Sequence, residues 1–155
     1  MSKVALGSST PSETRRIGAR LGRLLQAGDV VLLKGELGAG KTLLTQGIGQ
    51  GMKVVEPVKS PSFVLVNEYH GRITLHHADL FRLNGPSEVA DLALEEQAAD
   101  GVLVVEWPER AWAELPTEHL LVRIEEEAAR SRRIAFEAHG VRYETLLRTF
   151  EAAHA

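Results

Sequence analysis

The chain has 155 residues, of which 44% are apolar and 25% charged, and it contains no cysteine. These values are typical of one globular domain spanning residues 1–155, and they exclude disulfides, thiolate metal sites and cysteine catalysis. A net charge of −3 argues against a protein that binds nucleic acid by itself, because such proteins usually carry a basic surplus. The first residues lack the apolar core of a signal peptide, and no apolar stretch is long enough to span a membrane. We therefore expect a cytoplasmic protein with no membrane partner.

The first predicted elements are a helix, a buried strand and a second helix. Thr10 and Glu13 form a capping box at the start of the first helix, which is expected to stop at Gly28. The apolar run over residues 30–33 indicates a strand that is buried on both faces. A glycine-rich loop follows, and the second helix begins near Lys41. Three glycines later in this helix weaken it and are expected to end it.

The rest of the chain alternates between strands and helices. Five elements are predicted: an antiparallel hairpin over residues 63–80, an acidic amphipathic helix over 86–101, a buried strand over 102–107, a second hairpin over 119–140 and a closing helix over 141–153. Buried strands that alternate with helices imply a sheet with parallel strands at its centre. The sequence therefore predicts an α/β fold of the P-loop NTPase kind, with a mixed sheet that has a parallel centre and antiparallel hairpin additions.

The glycine-rich loop carries the clearest chemical signal. Residues 35–42 read GELGAGKT and match the phosphate-binding pattern G-x-x-x-x-G-K-[ST] at every position. Glycines let backbone N–H groups converge on phosphate oxygens, and the following helix adds its dipole. Lys41 would supply a full positive charge to the phosphates, and the Thr42 hydroxyl can ligate Mg²⁺. The predicted nucleotide-binding residues are Gly35, Glu36, Leu37, Gly38, Ala39, Gly40, Lys41, Thr42 and Leu43.

Two acidic residues follow apolar strands and are candidates for the catalytic site. Glu106 occupies the position of a Walker-B acid, and Asp79 ends the preceding strand; either one could instead be a surface acid. No guanine-reading N-K-x-D motif is present, which favours ATP as the nucleotide. His77 shares a strand face with Asp79, whereas His76 does not. Two ligands are too few for zinc, so strand packing is the expected role of these histidines.

Four segments in this order resemble the TsaE family (formerly YjeE), small bacterial ATPases of tRNA threonylcarbamoyladenosine biosynthesis. They are LLKGELGAGKT at residues 32–42, SPSF at 60–63, HHADLFRL at 76–83 and VVEWPER at 104–110. Each motif is weak alone, but all four in order in a chain of this size are a strong signal. The resemblance extends from about residue 14 to residue 140.

The resemblance implies an activity and partners. Family members bind ATP with Mg²⁺ and hydrolyse it slowly alone. They act with the TsaB–TsaD pair, which transfers a threonylcarbamoyl group onto the adenosine next to the tRNA anticodon. Contact with tRNA would then be only indirect, through that complex. Two rival functions remain open: a P-loop small-molecule kinase, and a non-catalytic scaffold that binds nucleotide.

The resemblance also implies roles for individual residues. Lys41, Asp79 and Glu106 would be catalytic, while Thr42, Ser62 and Glu106 would surround Mg²⁺. The reverse assignment of the two acids stays possible. Ser62 replaces a family threonine and keeps its hydroxyl, whereas Phe81 replaces a family tyrosine and cannot take over any role of that hydroxyl.

Further residues keep two interpretations each. Thr14 lies either near the adenine or in solvent. Trp107 follows Glu106 and is expected on the opposite face of its strand, either in the core or near the nucleotide. Arg82 either reaches a phosphate or pairs with an acid of the next helix. The basic cluster at residues 130–133 is either a solvated hairpin turn or a contact for ATP, tRNA or an acidic partner.

Overall fold

The computed structural model describes residues 2–36, 38–59, 66–82 and 93–154. The strands within these ranges are β1 (Lys3–Ser8), β2 (Val30–Lys34), β3 (Val66–His70), β4 (Thr74–Asp79), β5 (Val102–Glu106), β6 (His119–Ala128) and β7 (Ser131–His139). The helices are α1 (Pro11–Leu24), α2 (Lys41–Gly51), α3 (Leu94–Gln97) and α4 (Val141–His154), with short 3₁₀ turns at Pro108–Arg110 and Trp112–Glu114. None of the helices in the described ranges has the length and apolar character that a membrane span requires.

All the described strands belong to one mixed sheet. Its strand order is β1-β7-β6-β2-β5-β4-β3. Strands β6, β2, β5 and β4 run parallel to one another in the centre of the sheet, and β3, β7 and β1 add antiparallel pairs at the two edges. The predicted P-loop NTPase fold with a parallel centre and antiparallel hairpin additions is therefore confirmed.

Apolar side chains cover both faces of the sheet. One cluster joins alternate residues of β2, β5 and β6 to α1, α2 and α4, and the other lies on the opposite face near α3 and the 3₁₀ turns. Because parallel central strands are buried on both faces, β2 and β5 read as continuous apolar runs. The carboxyl ends of β2, β4 and β5 consequently lie side by side at one edge of this packed centre.

Helix α2 continues through Gly47 and Gly49 and ends at Gly51, so only the third of the glycines expected to end it does so. A side chain at Gly47 would have its Cβ 2.1 Å from the Arg15 carbonyl oxygen, and one at Gly51 would meet the Ala19 carbonyl oxygen at 2.1 Å. These glycines therefore allow close contact between α2 and α1, and this packing offsets their low helix propensity.

Three other details differ from the sequence predictions. Strand β1 was not predicted, and it forms because Lys3–Ser8 pair antiparallel with β7 at an edge of the sheet. Helix α1 ends at Leu24 because Leu25, fully buried, takes an extended conformation before Gly28. Of the acidic helix predicted over 86–101, residues 86–92 lie outside the described ranges, and the described part is helical only in α3, which ends at Gln97 rather than at Gly101.

Candidate functional site

The glycine loop connects β2 to α2 at the carboxyl edge of the parallel strands. Gly38 and Gly40 have φ angles of +79° and +113°, a left-handed conformation that favours glycine. Among the described residues, no side chain forms a cap hydrogen bond at the N-terminus of α2, the end of a helix that attracts anions. Thr42 and Leu43 lie in the first turn of that helix, whereas Leu37 lies outside the described residues. The loop thus has the backbone arrangement of a phosphate cradle.

Lys41 is buried, with 5% of its surface exposed. Its ammonium donates a 2.6 Å hydrogen bond to the Gly35 carbonyl oxygen and lies 3.7 Å from the centroid of the Trp107 ring. Burial lowers the pKa of Lys41, and the charges of Glu106 and Asp79, followed by two weaker acidic neighbours, oppose that shift. The Lys41 ammonium is therefore buried, and the charges of the neighbouring acids compensate only in part for its loss of water.

The two candidate acids are neighbours across parallel strands. Asp79 and Glu106 are aligned residues at the ends of β4 and β5. Glu106 is 3% exposed, while Asp79 is half-buried and accepts a 2.9 Å hydrogen bond from the Phe81 N–H. Burial, with a smaller contribution from the Glu106 charge, raises the pKa of Asp79. The structure thus brings the predicted residues Lys41, Asp79 and Glu106 together at one edge.

His77 is a site residue whose role the sequence did not reveal. Its Nε2 lies 2.5 Å from Oε2 of Glu106, and the histidine side chain is fully buried. The available signal was the shared strand face of His77 and Asp79. The contact itself depends on the register between β4 and β5, which the sequence does not display.

Trp107 lies just beyond the strand rather than on it, but it packs against the second apolar cluster with Leu103 and Val105, which is the face predicted for it, opposite to Glu106. Strand β5 ends at Glu106, and Trp107 takes a left-handed conformation with φ +58° immediately before Pro108. Its ring packs 4.8 Å from the Phe81 ring as well as against the Lys41 ammonium. Both earlier interpretations hold, since Trp107 contacts the second apolar cluster and the glycine loop.

A cavity of about 490 Å³ adjoins the glycine loop on its β1 and β7 side. Thr14 lines it and is 2% exposed, with its hydroxyl 2.7 Å from that of Ser8, so the alternative that Thr14 faces solvent is wrong. Arg132 also lines the cavity and donates a 3.0 Å hydrogen bond to the Ala39 carbonyl oxygen of the loop. The basic cluster is therefore more than a solvated turn, although Arg130 at the turn is exposed.

Other predicted residues are placed less fully. Ser62 lies outside the described residues. Arg82 is exposed, and the first part of the helix expected to follow it, residues 86–92, lies outside the described ranges. Within the part of the chain that is described, no group of three or more histidine and acidic side chains is arranged to hold a metal ion.

Comparisons with known proteins agree on one family. Residues 8–134 match the model of the family described as threonylcarbamoyl adenosine biosynthesis protein TsaE. A TsaE protein of Nostoc sp. is 47% identical over 116 residues, covering 71% of this chain and 70% of its own. That of Bacillus subtilis is 39% identical over 138 residues, covering 88% and 86%. The crystal structure of Bacillus subtilis YdiB superposes with a TM-score of 0.87 at 31% identity, covering 99% of this chain and 97% of that one. The chain therefore belongs to the TsaE family.

Proposed function

We propose that this protein binds ATP with Mg²⁺ and hydrolyses it as a component of tRNA threonylcarbamoyladenosine biosynthesis. One observation carries the proposal: a glycine loop, a buried lysine and two aligned carboxylates lie together at the carboxyl edge of β2, β4 and β5. This edge is where P-loop enzymes hold and cleave a triphosphate. Family membership and the names of the relatives support the place in tRNA modification.

The loop and Lys41 would hold the triphosphate. The uncapped N-terminus of α2 presents N–H groups to phosphate oxygens, and Lys41 adds its charge. A bound phosphate would compete with the Gly35 carbonyl oxygen for the lysine ammonium. Since that ammonium is already desolvated, its attraction to phosphate would be stronger than in water.

The oxygen donors at this edge suit Mg²⁺, which prefers one or two carboxylates together with phosphate oxygens. We assign the Thr42 hydroxyl and the Glu106 carboxylate to the ion, with the Ser62 hydroxyl as a further ligand. When bound, Mg²⁺ neutralises charge that develops on the phosphate oxygens. Asp79 would orient the attacking water, since its carboxylate is the more exposed of the two acids.

The proposed place in tRNA threonylcarbamoyladenosine biosynthesis also implies partner proteins. The TsaB–TsaD pair would accelerate a slow intrinsic hydrolysis, and tRNA would be reached through that pair. The net charge of −3 agrees with indirect rather than direct contact with RNA.

The test is ATP hydrolysis with Mg²⁺ by the purified chain, alone and with the TsaB–TsaD pair, beside a Lys41→Ala control. We expect a low rate that rises with the pair and disappears in the control. Solo turnover that the pair leaves unchanged would favour a small-molecule kinase, which a screen for phosphorylated metabolites would reveal. Nucleotide binding with no turnover in either condition would favour a scaffold.

The Mg²⁺ dependence of ATP hydrolysis distinguishes the roles of the two acids. Glu106→Gln should raise the Mg²⁺ concentration needed for half-maximal hydrolysis, whereas Asp79→Asn should lower the maximal rate at any Mg²⁺ concentration. The opposite pattern would reverse the assignment of the two residues.

A further inference from the structure

His77 is a fully buried polar residue in the middle of β4. Its Nε2 lies 2.5 Å from Oε2 of Glu106, which is itself 3% exposed. A neutral histidine protonated on Nε2 donates this hydrogen bond to the carboxylate. The contact joins a residue of one parallel strand to the acid that ends the next.

Packing alone does not explain this histidine. Its second ring nitrogen, Nδ1, is buried and has no hydrogen-bond partner among the described residues. A buried polar atom without a partner destabilises the folded state, so an apolar side chain of similar size would fill the same space at lower cost. The hydrogen bond to Glu106 is what a histidine provides here and an apolar residue does not.

The hydrogen bond also restricts the acid. A glutamate side chain has three rotatable bonds, and binding one carboxylate oxygen to a rigid, buried ring limits them to one arrangement. The other oxygen, Oε1, is then the one left for a ligand. Hydrogen bonds of this kind to ligating carboxylates orient them, and their loss typically costs about 10–100-fold in metal affinity or activity.

We propose that His77 is a positioning residue that holds the Glu106 carboxylate in the orientation needed for Mg²⁺-dependent ATP hydrolysis. This inference rests on the proposed function. His77 acts through Glu106 and does not itself contact the nucleotide.

The neighbouring His76 provides a matched control. It lies on the same strand, is 3% exposed and points to the opposite face. There its Nε2 is 3.0 Å from Asp100 and its Nδ1 is 3.6 Å from Glu68, two acids whose side chains are mostly exposed. A substitution at His76 therefore removes a buried histidine from β4 without touching Glu106.

The experiment compares His77→Met, His77→Gln and His76→Met in Mg²⁺-ATP hydrolysis by the full chain with the TsaB–TsaD pair. We expect His77→Met to lower kcat about 10–100-fold and to change the KM for ATP much less. His77→Gln should recover most of kcat, because its amide nitrogen can donate from near the position of Nε2. His76→Met should stay close to the wild-type rate.

Two results with active wild-type protein would overturn the inference. One is that His77→Met and His76→Met have the same kcat while the two variants also have the same melting temperature. The other is that His77→Met lowers kcat by the same factor in the Glu106→Gln background as in the wild type. A residue that acts through Glu106 should lower kcat by less than about two- to threefold in that background. If His77→Met does not fold, the same two comparisons are made with His77→Leu, and rescue by His77→Gln then decides between a positioning and a purely structural role.

Failure of the proposed function gives a different result. If the wild-type protein shows no hydrolysis, the proposed function is wrong. The positioning role of His77 is then tested by calorimetric titration, which measures how much Mg²⁺ increases the affinity for ATP. His77→Met should lose that gain to the same extent as Glu106→Gln, while His76→Met keeps it. Full retention in His77→Met would overturn the positioning role.

Discussion

The two ends of the parallel strands both hold buried charge, and they satisfy it in opposite ways. At the amino end of β2, Asp29 receives two hydrogen bonds from Arg142, at 2.9 and 2.7 Å, and a third from the Gln26 N–H. At the carboxyl end, the Lys41 ammonium contacts a carbonyl oxygen and an aromatic ring, and the nearby acids act on it only through their charge. We call the amino end, where Arg142 neutralises Asp29 directly, the closed end, and such a paired network stabilises the fold. We call the carboxyl end, where Lys41 has no direct hydrogen bond to an acid among the described residues, the open end, and a charge of this kind is typical of a ligand-binding site.

The largest expected effect is at the open end. Lys41→Met should lower ATP turnover by about 10²–10³-fold, the usual cost of removing one preorganised group that stabilises charge in a transition state. Because the substitution also removes a desolvated cation, the melting temperature should stay constant or rise. Hydrolysis assays and thermal melts on the same preparation check both. A clear fall in melting temperature would mean that Lys41 supports the fold as Asp29 does.

The next effect is at the closed end. Arg142→Met should destabilise the protein by about 2–3 kcal/mol, because it leaves Asp29 buried without its cation. The value is below that of a fully buried pair, since 33% of the Arg142 side chain is exposed. Urea unfolding measures the loss, and nucleotide affinity in the folded protein should not change. An altered affinity would show that the two ends are coupled.

A smaller loss is expected from Tyr143→Phe. The Tyr143 hydroxyl accepts a 2.8 Å hydrogen bond from the Val30 N–H, and its removal leaves that buried donor without a partner. The expected cost is about 1–2 kcal/mol in the free energy of unfolding. Urea unfolding measures this loss as well. Thr145→Val, at an exposed position of the same helix, shows how much a substitution in α4 changes stability when no buried hydrogen bond is removed. No loss would indicate that water replaces the hydroxyl.

The smallest effect has the opposite sign. Burial raises the pKa of Asp79, so its ionised form is disfavoured in the folded state, and stability is lost as the pH rises through that raised value. Asp79→Asn keeps the acceptor for the Phe81 N–H. The variant should therefore melt higher by a few degrees at most at pH 7, about 1 kcal/mol or less. This gain should vanish as the pH falls below the ordinary aspartate range; a gain that persists there would exclude ionisation as its cause.

Much of this arrangement is predictable from sequence. Apolar runs that end in a glycine loop or an acid identify β2 and β5, and parallel strands bring such ends to one edge of a sheet. The parallel centre and the proximity of Lys41, Asp79 and Glu106 follow from that rule, while the turns of the two predicted hairpins indicate the antiparallel additions.

The remaining features depend on contacts between distant segments. Strand β1 pairs with residues more than 120 positions later, and its half-buried Val4 and Leu6 alternate too briefly to identify a strand. The His77–Glu106 contact requires the strand register, and the position of Trp107 requires a left-handed residue that no local pattern demands. Sequence patterns report local conformation, whereas these features are decided by tertiary packing.

The position of β2 has a further consequence, for hydrogen exchange. Four of its residues pair with β5 and four with β6, and the glycine loop follows directly from it. Amides in such a central strand exchange with solvent mainly through global unfolding. A ligand held by the loop binds only the folded state, so at 100 times its Kd it should slow this exchange by about 100-fold, equivalent to about 2.7 kcal/mol. Nucleotide occupancy would then be readable in the amides of the strand that lies deepest in the sheet.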